Sequence, residues 1–382
     1  MTCSQAARAR SANTPAARNT PATRLVFLAA GLVAAAWAPL VPFVQGRTGL
    51  HPGALGLLLL SLGGASIATM PTAGALVARF GCRAVILGAT LPMGLALLVL
   101  AAAASPAVLA PALAILGTTF GAIDVAMNMQ AIAVERAAGR AMMSGFHAFF
   151  SLGGILGAVA MTALLGAGLS PFTATLCIAA AIAAAAPGLF PFATGRGSAA
   201  FAVPHGTVLF LGALCFIAFL SEGAVLDWGA VFLTTQRGLD TGYGGLGYAI
   251  FSAIMTLGRF LGDRLVQRAG GKRVMLCSGL CAAAGFGIAA ALPSWPAALA
   301  GYALVGAGCS NIVPVLFTRV GRQATMPEHA AVAAMTTLGY AGILAGPAAI
   351  GAIAQFAGLP AAFVVLAALQ LPIALAGRLL KT

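Results

Sequence analysis

Long apolar runs, separated by short polar or glycine-rich stretches, recur along nearly the whole chain. Twelve of these runs reach about 18 residues, the length at which an apolar segment can cross the ~30 Å hydrocarbon core of a bilayer as a helix. The runs are continuous and rich in Leu and Ala, whereas a membrane barrel would show alternating segments of about 10 residues. The predicted spans lie at 25–45, 53–78, 84–104, 108–134, 142–168, 171–192, 206–234, 243–268, 273–293, 296–318, 330–355 and 359–377.

The composition supports the same class of protein. Of the 382 residues, 61% are hydrophobic and 7% are charged, which leaves too few polar side chains to cover a water-soluble surface. Twelve spans within 382 residues leave only short loops, so we expect no separate catalytic or nucleic-acid-binding domain. The sequence therefore predicts an all-α membrane protein that is not an enzyme.

The positions of the basic residues predict the orientation of the chain. The formal net charge is +13, which in a soluble protein would suggest a nucleic-acid partner. In a membrane protein, Lys and Arg in short loops instead mark the cytoplasmic side. With the N-terminus in the cytoplasm, Arg47 and Arg237 are the only two of the 20 basic residues on the outer side. This pattern predicts that both termini are cytoplasmic, and we expect no nucleic acid to bind.

Residues 1–23 are rich in Ala, Ser, Thr and Arg and contain no acid. A transit peptide has this composition, and so does a cytoplasmic tail ahead of an uncleaved first span. The charge pattern favours a disordered cytoplasmic tail. The seven cysteines include no Cys-x-x-Cys pair, so we expect packing residues rather than disulfides or a metal site, and no cofactor.

Short sequence similarities indicate that the chain is duplicated. Leu55-Gly56 recurs as Leu246-Gly247, and Gly81-Cys82-Arg83 recurs as Gly271-Lys272-Arg273, at spacings close to half of the 382 residues. We therefore predict two pseudo-symmetric six-helix bundles, at 24–192 and 206–382, joined by a cytoplasmic linker at 193–205. Two such repeats usually enclose one substrate path near the membrane midplane, which opens alternately to each side.

The two repeats resemble the major facilitator superfamily, whose loop signature is roughly Gly-x-Leu-x-Asp-Arg-x-Gly-Arg-Arg. Residues 74–83 read Gly-Ala-Leu-Val-Ala-Arg-Phe-Gly-Cys-Arg, so that Ala78 and Cys82 depart from the signature. Residues 258–264, Gly-Arg-Phe-Leu-Gly-Asp-Arg, match it more closely. The resemblance implies the twelve-helix fold of that superfamily, a monomer, and secondary transport by alternating access.

Three further segments resemble the MosC-like branch of this superfamily. They are 124–130 (Asp-Val-Ala-Met-Asn-Met-Gln), 144–147 (Ser-Gly-Phe-His) and 222–228 (Glu-Gly-Ala-Val-Leu-Asp-Trp). Members of the branch are mostly uncharacterised transporters of the bacterial inner membrane, one of them linked to a rhizopine, an inositol derivative. The resemblance implies the same location for this multi-pass chain.

Polar residues within the predicted spans are the candidate proton-coupling and substrate groups. An ionisable side chain at mid-membrane costs about 2.5–3.5 kcal/mol on insertion scales, so each one is a functional candidate. Asp124 and Asn128 lie one turn apart on one helix face, and His147 is expected at a similar depth, which would form a polar seam. For Glu222 the expected role is proton coupling. The alternative is that Asp124 or Glu222 is a neutral acid that only forms hydrogen bonds to neighbouring helices. The remaining candidates are Asp227, Trp37 and Asn311.

Charged residues and glycines at the cytoplasmic helix ends form a second candidate set. Arg259 and Asp263 are four residues apart and can pair on one helix face. The resemblance implies that this region controls conformation through charge pairs that break when the transporter opens inward. The alternative is that these charges only set the orientation of the chain in the membrane. The set comprises Gly74, Arg79, Gly81, Arg83, Glu135, Arg136, Arg259, Asp263, Arg264 and Arg273.

Three functions remain open on sequence grounds. The first is a proton symporter for a small polar solute such as a sugar, a polyol or a derivative. The second is a proton-coupled exporter of drugs or metabolites, whose relatives resemble one another in an Arg in span 4 and a Gly-Pro in span 5; here those regions contain Gly117 and Gly153-Gly154. The third is a non-transporting membrane sensor, which the short loops disfavour.

Overall fold

The computed structural model describes residues 15–49, 52–185, 203–239 and 245–379, and within these ranges the chain is helical and contains no strand. A short 3-10 turn at Ala38–Leu40 separates the first two helices. The helices are α1 Pro15–Ala36, α2 Val41–Thr48, α3 Pro52–Ala102, α4 Pro106–Ala138, α5 Met143–Gly166, α6 Pro171–Ala185, α7 Gly206–Gln236, α8 Leu246–Ala291, α9 Trp295–Cys309, α10 Ile312–Val320 and α11 Glu328–Leu379.

The number of spans agrees with the sequence prediction of twelve. In the part of the chain that the structure describes, nine helical segments are long and apolar enough to cross a membrane, and Pro171–Ala184 is a shorter apolar helix. Two of the nine, Leu60–Ala102 and Leu246–Ala291, each contain two helices joined at a kink. The kinks lie at Gly81, with φ 83° and ψ 159°, and at Gly270, with φ 78° and ψ 150°. Only glycine adopts this backbone region readily, so these residues set where one span ends and the next begins.

The backbone confirms the predicted duplication. Glycines with positive φ recur at the same places in both repeats, as Gly49 and Gly238, Gly81 and Gly270, and Gly168 and Gly358. The register differs slightly from the sequence prediction, because the counterpart of Gly81 is Gly270 rather than Gly271. The chain is therefore an all-α membrane protein built from two pseudo-symmetric sets of six spans.

The two predicted outer-side arginines occupy equivalent positions in the repeats. Arg47 donates to the carbonyl oxygens of Leu100 (3.2 Å) and Ala103 (2.8 Å) at the end of α3. Arg237 donates to those of Ala289 (2.9 Å) and Ala290 (2.7 Å) at the end of α8. The last carbonyls of a helix lack intrahelical partners and carry partial negative charge, so each guanidinium stabilises a helix C-terminus.

The chain forms two compact units that exchange short segments. Unit 1 comprises Met1–Arg140, Phe149–Val203 and Met326–Ala333, and unit 2 comprises Ala141–Ala148, Pro204–Thr325 and Ala334–Thr382. Each unit thus contains eight residues from the other half of the sequence, and the boundaries at 24–192 and 206–382 stay a prediction.

The predicted tail and linker are only partly described. Helix α1 begins at Pro15, so residues 15–23 of the predicted tail are helical here, and residues 1–14 lie outside the described residues. Of the predicted linker, residues 193–202 also lie outside them.

Aromatic rings form the centre of unit 2. Phe363 on α11 contacts Phe232 on α7, with ring centroids 4.2 Å apart, and Phe286 on α8 at 5.7 Å. Tyr302 on α9 packs against Phe363 at 6.1 Å and donates its hydroxyl to the Gly229 carbonyl oxygen at 3.1 Å. These contacts fix α7, α8, α9 and α11 against one another and so hold the polar residues described next.

Candidate functional site

A buried ion pair lies between α7 and α8 of unit 2. The Arg259 Nη2 atom is 3.4 Å from the Glu222 Oε1 atom, and the two side chains are 6% and 17% exposed. Both residues were predicted from the sequence, but in separate roles, and their proximity joins the predicted coupling acid to the predicted control region. Because each charge neutralises the other inside an apolar span, loss of either one would leave its partner uncompensated.

Asn311 lies at a break in the tenth span. Helix α9 ends at Cys309 and α10 begins at Ile312, and the Asn311 side chain is 3% exposed between them. Its amide donates to the Gly258 carbonyl oxygen (3.1 Å), and its Oδ1 atom accepts the Ser144 hydroxyl (2.7 Å). Interrupted spans of this kind are common at the binding sites of transporters, because the freed backbone groups can contact substrate and ions.

Several polar contacts hold the segment Ala141–Ala148 in place within unit 2. Asp263 on α8 accepts the backbone N–H of Gly145 at 3.0 Å, close to the start of α5. Gln267, one turn further on, donates to the Ala141 carbonyl oxygen at 3.0 Å. The first N–H groups of a helix lack intrahelical acceptors and attract negative charge, so Asp263 stabilises this helix start.

The start of α11 in unit 1 is stabilised differently. Glu328 lies in the first turn of α11, and Arg136 on α4 pairs with it at 3.1 Å, with side chains 34% and 56% exposed respectively. Gly74 on α3 packs against the His329 backbone. The signature acid that would lie near this helix start is replaced by Ala78, and Glu328 supplies a negative charge from within the helix itself.

Asp124 and Asn128 share one face of α4 in unit 1, as predicted. Their exposures are 8% and 1%. The Asn128 amide donates to the Asp124 backbone oxygen at 2.9 Å, and its Oδ1 atom has no hydrogen-bond partner among the described residues. His147, expected to extend this seam, belongs instead to unit 2, where its ring lies 5.6 Å from that of Phe317.

The remaining predicted residues are more scattered, and their roles stay predictions. Trp37 is buried before the 3-10 turn, whereas Asp227 is exposed in the C-terminal half of α7. Glu135 is buried, Arg83 is half-buried, and three arginines are exposed: Arg79, Arg264 and Arg273.

Sequence reasoning missed several buried polar residues. The Gln370 amide on α11 donates to the Ser221 hydroxyl on α7 at 2.7 Å, beside Glu222. A search for uncharged polar residues within the spans would have found Gln370, because such groups seek interhelical partners.

Replacing Asp263 with Asn should loosen the segment 141–148. The amide keeps the size of the side chain but removes the negative charge at the start of α5, which we expect to cost about 1–2 kcal/mol. Hydrogen exchange measured by mass spectrometry should become faster in peptides covering 141–148. Glu328→Gln is the matched control at the other helix start, where an exposed pair contributes only about 0–1 kcal/mol. Equal effects of the two variants would contradict the assigned role of Asp263.

Comparisons with known proteins agree on one family. Residues 208–381 match the family model described as Major Facilitator Superfamily. An uncharacterised transporter of this type from Yersinia pestis is 52% identical over 93% of this chain and 94% of its own length. The membrane protein MosC of Rhizobium meliloti is 30% identical over 92% of this chain and 87% of its own length.

Two solved structures share the fold. The fucose:proton symporter of E. coli superposes with a TM-score of 0.79 at 16% identity, covering 94% of this chain and 98% of that protein. The human organic anion transporter MFSD10 superposes with a TM-score of 0.76 at 19% identity, covering 94% of this chain and 99% of that protein. At these identities the likeness concerns the fold alone.

Proposed function

The chain belongs to the major facilitator superfamily, and we propose from this premise that it is a secondary active transporter for a small polar solute. The solute class is a sugar, a polyol or a derivative of one. Transport proceeds by alternating access and is coupled to protons as symport. The protein works as a monomer in the bacterial inner membrane, with both termini in the cytoplasm.

The observation that carries this proposal is the placement of buried charged groups inside apolar spans of both units. Asp124 lies in α4, and Glu222 and Arg259 lie in α7 and α8. Such groups are expensive in a membrane and mark substrate or ion pathways. Beside Asp124, the Asn128 Oδ1 atom has no hydrogen-bond partner among the described residues and can accept a hydroxyl group of a polyhydroxylated solute.

The function can be tested with purified protein before any substrate has been identified. A thermal-shift screen against sugars, polyols, amino acids and cationic drugs identifies ligands, because a ligand that binds the folded state raises the melting temperature. We expect polyhydroxylated compounds to give the largest shifts. A radiolabelled form of the best ligand should then accumulate in liposomes when the outside is made acidic.

Liposomes without protein and liposomes treated with a protonophore are the controls, and both should show no accumulation. Binding restricted to cationic drugs, with transport driven by the opposite gradient, would favour an exporter instead. Binding without any transport would favour a sensor. Either outcome would overturn the proposed function.

A further inference from the structure

Two of the acids in the spans, Glu222 and Asp124, differ in their electrostatic surroundings. Glu222 has the Arg259 guanidinium at 3.4 Å, so the pair is neutral as a whole. Asp124, which is 8% exposed, has neither a hydrogen bond to its carboxylate nor an ion pair within the described ranges of the chain. An ionised carboxylate in a span is costly unless a positive charge accompanies it. Ionised Asp124 therefore requires a cation that the described residues do not supply.

Two further oxygen atoms without hydrogen-bond partners lie along the same face of α4. Gly121, Asp124 and Asn128 follow one another at three and four residues, which places them on one side of a helix. The Ser66 hydroxyl of α3 faces this side, since a Cβ atom added at Gly121 would lie 2.9 Å from it. Ser66 and Asn128 are each 1% exposed, and the Ser66 Oγ and Asn128 Oδ1 atoms have no partner among the described residues.

Among the described residues of the neighbouring helices, no charged side chain forms an ion pair with Asp124. The two helices that pack most extensively on α4 are α1 and α3. Their described basic residues are Arg24, Arg79 and Arg83. Arg24 lies over the Phe149 ring and Arg79 over the Phe80 ring. The described titratable group of α3 besides these arginines is the Cys82 thiol.

We propose that Asp124, together with Asn128 and Ser66, forms the site of the coupling cation, and that Glu222 and Arg259 form a permanent neutral pair rather than the coupling group. The site consists of a carboxylate, an amide oxygen and a hydroxyl. Hard monovalent cations prefer such oxygen donors, and a proton needs only the carboxylate with an acceptor nearby. The cation is a proton or a sodium ion. This inference rests on the proposed function, because it names the ion site of that transporter.

The experiment measures cation binding directly and needs no substrate. Purified wild-type protein is compared with Asp124→Asn by infrared difference spectroscopy between alkaline and acidic buffer without sodium. Melting temperatures are measured in the same buffers and in a sodium chloride titration against choline chloride at alkaline pH. The double variant Glu222→Gln/Arg259→Gln is the matched control, since it removes the Glu222 carboxyl without leaving an unpaired charge.

If the proton is the ion, wild type should show the band of a protonated carboxylic acid on acidification together with a higher melting temperature. If sodium is the ion, sodium chloride should raise the melting temperature where choline chloride does not. In both cases the response should disappear in Asp124→Asn and persist in the double variant. Asp124→Glu, which keeps the carboxyl, should retain the response and shows that loss in Asp124→Asn is not a folding defect.

A response that persists in Asp124→Asn, or one that disappears in the double variant, would overturn the assignment. So would a wild-type protein that responds to neither cation. The failure of this site and the failure of the proposed function can be told apart. Cation binding at Asp124 without proton-driven uptake would refute proton symport alone. Proton-driven uptake that survives in Asp124→Asn would refute this site alone.

Discussion

Replacing Arg259 with Gln should destabilise the protein by about 3–5 kcal/mol, the usual result of removing one partner from a buried ion pair. The Arg259 side chain is 6% exposed and its partner Glu222 is 17% exposed, so water compensates little of the lost charge. The loss should grow as the pH rises, because the carboxylate left behind is then ionised and has no cation. Chemical unfolding in detergent, followed at several pH values, measures both effects.

Two variants test the cause of this loss. Arg264→Gln removes an exposed arginine from the same helix and should change stability little. The double variant Glu222→Gln/Arg259→Gln should recover much of the stability, because two amides of similar size leave no buried charge. If the stability loss of the double variant equalled the sum of the losses in Glu222→Gln and in Arg259→Gln, the two side chains would not act as a pair.

Gly262→Ala should destabilise unit 2 and release the segment 141–148. A Cβ atom at Gly262 would overlap the Asn311 Oδ1 atom and approach the Ser144 side chain. These two residues hydrogen-bond at 2.7 Å, so the methyl group must push the pair apart. Overpacking of this kind costs about 1–3 kcal/mol. Hydrogen exchange should accelerate in peptides covering 141–148, and the melting temperature should fall.

Gly287→Ala on the same helix is the matched control. A Cβ atom at Gly287 meets nothing within 4 Å, so the substitution tests helix propensity without a steric clash. Alanine is preferred over glycine inside a helix by about 0.5–1 kcal/mol, and this variant should be neutral or slightly stabilised. A Gly262→Ala protein with the stability and exchange of wild type would mean that α8 and the break at Asn311 can separate without cost.

The starts of α5 and α11 show how the two repeats have diverged. In unit 2 the negative charge at the helix start comes from Asp263 on a neighbouring helix, and in unit 1 it comes from Glu328 in the helix itself. The first contact is partly buried and the second is exposed, so salt should weaken the second more.

The sequence by itself determined the membrane class, the twelve spans and the duplication. These features depend on hydrophobicity averaged over about 18 residues and on glycines at chain reversals, and lipid permits few alternative folds for such segments. The shared face of Asp124 and Asn128 was equally predictable, because residues four apart on a helix always lie together.

Only the tertiary structure decided which residues meet across helices. Arg259 pairs with Glu222, 37 positions away, and Asn311 binds Ser144, 167 positions away. The placement of His147 in unit 2 and of Glu328 beside Arg136 likewise followed from helix packing. Such contacts depend on the rotation and offset of helices that are distant in the sequence, and the pattern of apolar residues within a single span does not specify them.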